Sequence, residues 1–280
     1  MREWLQLRAA QLRPRTIEQY DRLIRLHLKP IEGKKLKKLK PETIQRMLSG
    51  IAAEHPRTAE QCYVLLKTAL RSAVLLGRIE RSPMEAVQRP AHRAAPHTVW
   101  TPEEQRAFMR AAKGDPAGLE LQIGLLCGLR RGEICGLMWS DVDLRAGVLK
   151  VRRQRQRQSD GKLYTVEPKS AAGRREIPIP QALRAPLAAR AAIGGYVTGL
   201  TPEALTRALR RVERRAGVPH IGLHGLRHTM ATNAVRAGAS LRTVQQLVGH
   251  ASFALTAAIY THPDTEMLRE AVDSAARYVV

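Results

Sequence analysis

The stretch His224-Gly-Leu-Arg-His-Thr-Met-Ala-Thr232 places a histidine and an arginine three residues apart. His250 and Tyr260 follow downstream, in Leu247-Val-Gly-His-Ala-Ser252 and Thr256-Ala-Ala-Ile-Tyr260-Thr-His262. On a helix, residues three apart share a face, so His224 and Arg227 can serve one target. A guanidinium is a planar fork of donors that fits phosphate oxygens. Histidine holds or passes a proton near neutral pH, and a tyrosine hydroxyl is a nucleophile once its proton is taken. Together these are the groups needed to attack a phosphodiester and stabilise the charge that follows. The phenol ordinarily ionises near pH 10, so a base and cations must assist it.

The composition agrees with a phosphate target. The chain has 280 residues, enough for one large or two ordinary domains. Lys and Arg number 47 against 25 Asp and Glu, a formal net charge of +22, with a pI near 10.9. The charge is spread through periodic segments that also carry apolar residues, which points to a folded polyanion binder rather than a basic tail or a membrane-surface binder. No apolar run is long enough to span a bilayer, and Met1-Arg-Glu-Trp-Leu lacks the apolar region of a signal peptide. The expectation is a cytoplasmic protein, nucleoid-associated when acting. Cys62, Cys127 and Cys135 lie in apolar segments and read as reduced core residues. His224 and His228 have a spacing that could hold a metal, but no acid or cysteine lies near them. No ATP motif, acidic metal cluster or Gly-rich phosphate loop is present, so no cofactor is expected.

The elements that must position these groups divide the chain in two. Apolar spacing predicts helices over Thr16–Leu28, from Pro41, and over Arg57–Leu76 with Gly77 as the stop. Lys34–Lys40 is a basic loop, and a short piece starts at Ser82-Pro83. Residues 88–100 read as a basic, proline-containing linker between a domain of residues 1–87 and one of residues 101–280. Thr101-Pro-Glu-Glu104 is a helix start with a capping box. Helices are expected over Glu103–Ala112 and Leu119–Cys127. Strands are expected over Gly147–Arg153, Lys162–Val166 and Arg175–Pro180, with Gln154–Gly161 as an exposed hairpin connection. Further helices are expected over Pro202–Ala216, His224–Ala237, Ser240–Leu247, Phe253–Thr261 and Thr265–Arg277.

Set in this frame, the motifs resemble those of the tyrosine recombinases, the integrase family of site-specific DNA recombinases. The C-terminal signature of that family is His-x-x-Arg, then Leu-Gly-His, then a tyrosine after a threonine, here with Val248 in place of the leucine. Gly128-Leu-Arg130-Arg-Gly-Glu133, extended by Leu137, Trp139 and Asp141-Val-Asp143, resembles its first arginine box. Glu167-Pro-Lys169-Ser170 before Arg174-Arg-Glu-Ile-Pro resembles its hairpin lysine and the strand after it. The first third, from Arg15-Thr-Ile through Pro30-Ile-Glu-Gly33 to Pro41-Glu-Thr-Ile44, loosely resembles the family's core-binding domain.

The resemblance implies a mainly α fold with a small antiparallel β-sheet: a two-domain, C-shaped DNA clamp with a helical, SAM-like core-binding domain and a catalytic domain. It implies Tyr260, ten residues after His250, as the nucleophile forming a 3′-phosphotyrosyl link. Tyr278 lacks that context. Arg130 and Arg227 would clamp the phosphate, and Glu133 would support Arg130. His224 would shuttle the proton, and His250 would donate to the phosphate. Lys169 would be the general acid, with Lys162 as its competitor; Arg131 reads as a solvated basic residue and His228 as structural. Basic residues expected against DNA are Arg15, Lys34, Lys35, Lys37, Lys38, Arg57, Arg93, Arg152, Arg153 and Arg155. The expected partners are duplex DNA with a specific core site, three further copies in a tetramer with the segment Asp264–Val280 docking in trans, and an accessory DNA-bending protein. The core-binding pattern begins at Arg15, which leaves no room in this sequence for the arm-binding domain of many integrases. The rival readings are a type IB topoisomerase and a DNA-binding module without catalysis.

Overall fold

The computed structural model describes residues 1–92, 98–158, 160–168 and 171–249. The chain divides into two compact units, Met1–Ala95 and Pro96–Val280. The first unit is helical: α1 (Arg2–Arg8), α2 (Pro14–His27), α3 (Pro41–Glu54) and α4 (Pro56–Leu75). Three of these begin with proline, whose fixed φ and missing N–H suit a helix's first position. Leu23, Ile24, Ile44, Leu48, Leu65, Leu66 and Leu70 form the core, joined by Leu5 of α1. Helix α4 ends as the sequence predicts. Gly77 takes φ +65°, its N–H reaches the Val74 carbonyl, and the Arg78 N–H reaches that of Ala73, both at 2.9 Å. Helix α1 carries no sequence-based expectation. It is short, and it is fixed by a two-pronged Arg78–Glu3 ion pair at 2.7 and 3.0 Å and by Trp4 packing on Tyr20.

In the second unit, α5 (Pro102–Lys113) starts with the predicted capping box: Thr101 accepts from the Glu104 N–H, and Glu104 accepts from the Thr101 N–H. Helix α6 (Gly118–Cys127) is buried on nearly all sides, as its almost unbroken apolar run requires. The short α7 (Arg131–Gly136) follows, then the strands β1 (Val142–Asp143), β2 (Val148–Val151), β3 (Gln154–Arg157), β4 (Leu163–Val166) and β5 (Arg175–Pro178). Helices α8 (Gln181–Arg190), α9 (Pro202–Ala216), α10 (Gly222–Arg236) and α11 (Leu241–Val248) complete the described part. The core draws on Trp100, Phe108, α6, Leu149, Ile177, Leu205, Leu209 and Leu226. The architecture is thus mainly α with small antiparallel sheets, as expected. Among the described residues no helix is long and apolar enough to cross a membrane. Cys62, Cys127 and Cys135 are buried and unbridged.

The strand pairing departs from the sequence reading. Strand β2 lies between β1 and β5, with Leu149 opposite Ile177. Gln154–Arg157, read as part of an exposed hairpin between two strands, is itself a strand that pairs with β4 in a separate two-stranded sheet. Its Gln-Arg-Gln-Arg has no apolar alternation, so nothing local marks it as β. Its place comes from the ladder with β4 and from α7, which it approaches backbone to backbone. A Cβ on Gly136 would stand 2.9 Å from Gln154 Cα, and one on Gly132 2.9 Å from the Arg155 carbonyl oxygen. Only glycine lets the strand lie this close. Helix α8 was not anticipated either, since Pro186 sits inside it.

Candidate active site

The site is organised around the carboxyl end of α11. The last carbonyls of a helix have no partner within it. Gly249, in the left-handed conformation, turns its N–H back to the Gln246 carbonyl at 3.1 Å. The next three carbonyls are each met by an arginine. Arg175 Nε donates to Leu247 at 2.7 Å, Arg227 Nη2 donates to Val248, and Arg130 Nη2 donates to Gly249 at 2.9 Å. Cations also suit the negative end of the helix dipole.

Each arginine arrives from a different element. Arg130 stands at the start of α7, half-buried. Its N–H and Nη1 both donate to the Glu133 carboxylate, at 2.9 and 2.8 Å. Arg227 projects from α10 with no exposed surface, and its Nη1 donates to the Gly128 carbonyl at the end of α6. Arg175 opens β5 with a side chain 6% exposed and binds both Glu133 oxygens, at 3.1 and 2.9 Å. Burial alone would push the Glu133 carboxyl up; Arg175, joined by Arg130, outweighs it and brings it down to about 2. Three guanidiniums against one carboxylate leave a local excess of +2. The helix end offsets only part of this, so the cluster is suited to receive an anion.

His224 lies one turn before Arg227 on α10 and is exposed. Its ring packs edge-on to buried His228, centroids 4.5 Å apart, which gives His228 a structural place. The start of α10 is fixed by buried Glu213, which pairs with His220 and accepts from the Ile221 N–H. The Trp100 N–H donates to the Thr229 hydroxyl, joining the residue before the α5 cap to α10. Arg131 reaches the Thr206 hydroxyl. The structure therefore brings together Arg130, Glu133 and Arg227, with His224 on the same helix as Arg227. Lys169, His250 and Tyr260 lie outside the described residues, as do Arg93 and the segments 253–261 and 264–280.

Among the residues expected against DNA, Arg15, Lys34, Lys35, Lys37, Lys38 and Arg57 are exposed on the first unit, and Arg152 on the second. Arg153 is paired with buried Asp141, and Arg155 lies over the Tyr196 ring, 4.4 Å from its centroid. A cleft of about 630 Å³ between the two sheets is lined by Lys150, Arg152, Arg153, Arg174 and Arg175. Among the described residues no cluster of ligands could hold a metal ion. Sequence reasoning missed Arg175. The available signal was its register, since Arg175 shares a strand face with buried Ile177 and must therefore be partnered.

Comparison with known proteins places the chain in a family. Residues 197–267 match the model of the phage integrase family, and residues 1–51 that of the phage integrase N-terminal SAM-like domain. A tyrosine recombinase XerC from Mycobacterium sp. (strain KMS) is 32% identical over 232 residues, 75% of this chain and 73% of the relative. A XerC-like tyrosine recombinase from Caldanaerobacter subterraneus subsp. tengcongensis is 28% identical over 94% of this chain and 78% of its own. The fold is similar to that of the Tn1549 transposon integrase in complex with transposon right end DNA. The TM-score is 0.80 and the identity 21%, over 98% of this chain and 99% of that one. The chain belongs to the tyrosine recombinase family, the phage integrases, which are site-specific DNA recombinases.

Proposed function

We propose that this chain cuts and rejoins duplex DNA at a specific core site and exchanges strands through a Holliday junction. Tyr260 attacks the scissile phosphate, and the bond to the 5′ oxygen breaks. A 3′-phosphotyrosyl link remains, and a 5′ hydroxyl leaves. Arg130 and Arg227 hold the non-bridging oxygens as charge builds on them, and His250 adds a donor. His224 takes the phenol's proton, and Lys169 gives one to the departing oxygen. Ligation by that hydroxyl reverses each transfer, so neither ATP nor metal is required.

The observation that carries this reading is the convergence of Arg130 and Arg227 on successive carbonyls, Gly249 and Val248. They come from different helices, and the meeting point is the residue before His250. Exchange between two duplexes breaks four strands, one nucleophile each, so the acting form is a tetramer on DNA. The segment Asp264–Val280 docks on a neighbouring protomer, and a DNA-bending protein brings the sites together. The units at residues 1–87 and 101–280 act as a core-binding and a catalytic domain. Outward cations such as Lys34, Lys35, Lys37 and Lys38 contact the backbone.

The test is strand exchange between two plasmids carrying candidate core sites, without metal or ATP. Recombinant products with the wild type and none with Tyr260→Phe are expected. Relaxation of any supercoiled plasmid, without site dependence or exchange, would favour a type IB topoisomerase.

A further inference from the structure

Arg175 has no part in the proposed chemistry, yet its guanidinium bonds through all three nitrogens. Its guanidinium binds both oxygens of Glu133, the Leu247 carbonyl and, at 3.3 Å, the Gly173 carbonyl. Those partners lie on three separate stretches of chain. Glu133 holds Arg130 through two hydrogen bonds. Gly173 lies four residues after Lys169, in the connection that leads from the lysine into β5. Leu247 lies in the last turn of α11, three residues before His250. Gly249 packs onto the same side chain: a Cβ there would stand 3.1 Å from Arg175 Cδ and 3.2 Å from Nη1, at a φ of +59°.

We propose that Arg175 is a positioning residue for strand cleavage, one buried fork that sets the first arginine, the lysine connection and the end of α11 in a common register. The inference rests on the strand-cleavage reading above. Lysine cannot replace it, because a single ammonium cannot span a carboxylate and two carbonyls in fixed directions. A buried guanidinium held through all three nitrogens is also stiff, as pre-organisation requires.

The full-length protein, in wild-type, Arg175→Gln and Arg175→Lys forms, is given saturating suicide duplex bearing its core site. Two quantities are read: the rate of SDS-stable adduct formation, and the Kd for the same DNA by fluorescence anisotropy. Loss of register by an ångström or so slows chemistry by about a hundredfold. The expected result is adduct formation slowed by about that factor in Arg175→Gln, with Kd within about threefold, and no recovery in Arg175→Lys. Arg175→Gln leaves Glu133 without its main partner and can fail to fold. The double variant Glu133→Gln/Arg175→Gln removes both charges, and it should fold and show the same slow cleavage with near-normal binding. Folded variants that cleave within about threefold of wild type overturn the proposal. So does a slowing matched by an equal loss of binding. A wild type that forms no adduct on its site overturns the strand-cleavage reading, and this proposal with it.

Discussion

Glu133 shows how one buried carboxylate sets the local chemistry. Two guanidiniums hold its pKa near 2, against an ordinary value of 4.5. The folded value lies below the unfolded one, so the stabilisation is complete above about pH 4.5 and is lost as pH falls toward 2. A shift of this size corresponds to on the order of 3 kcal/mol. Glu133→Gln should therefore be less stable than wild type at about pH 6, and the gap should narrow steadily toward about pH 3. Urea unfolding midpoints across that range check it. A gap that does not change with pH would mean the carboxylate's charge is not what holds the arginines.

At the scale of elements, the close approach of α7 and β3 links the Arg130 cap to the hairpin. Replacing glycine by alanine in an open helix position gains up to about 1 kcal/mol. At Gly136 the added carbon would meet strand backbone at 2.9 Å, and backbone cannot swing aside. Gly136→Ala should thus destabilise by about 1–3 kcal/mol. A thermal midpoint unchanged or raised would contradict this packing. Thr101→Ala should cost about 1 kcal/mol through loss of its cap, read by the same melts.

These two elements also show what was legible. The box at Thr101 and Glu104, the full span of α9 and the stop at Gly77 follow from local chemistry, and the sequence states them directly. Strand β3 and its pairing with β4 do not, because a polar strand is defined by its partner. The same holds at the site. His224, Arg227, Arg130 and Arg175 all stand in recognisable motifs, but the place of Arg175 in the site became visible only when Glu133 and the end of α11 were seen around it.

For the whole molecule, a net charge of +22 predicts binding dominated by phosphate contacts. Each neutralised phosphate releases counterions, so affinity for non-specific duplex should fall on the order of a thousandfold between about 50 and 200 mM salt. Anisotropy titrations at several salt concentrations give the slope; a flat one would contradict a backbone-tracking surface. The central claim concerns the covalent link. A nicked suicide duplex carrying the core site, incubated without metal or ATP, traps the protein once it has cleaved. The account predicts an SDS-stable protein–DNA adduct with the wild type that is lost in Tyr260→Phe while DNA binding is retained. Tight binding to the right site with no adduct, or an adduct that survives Tyr260→Phe, would contradict it.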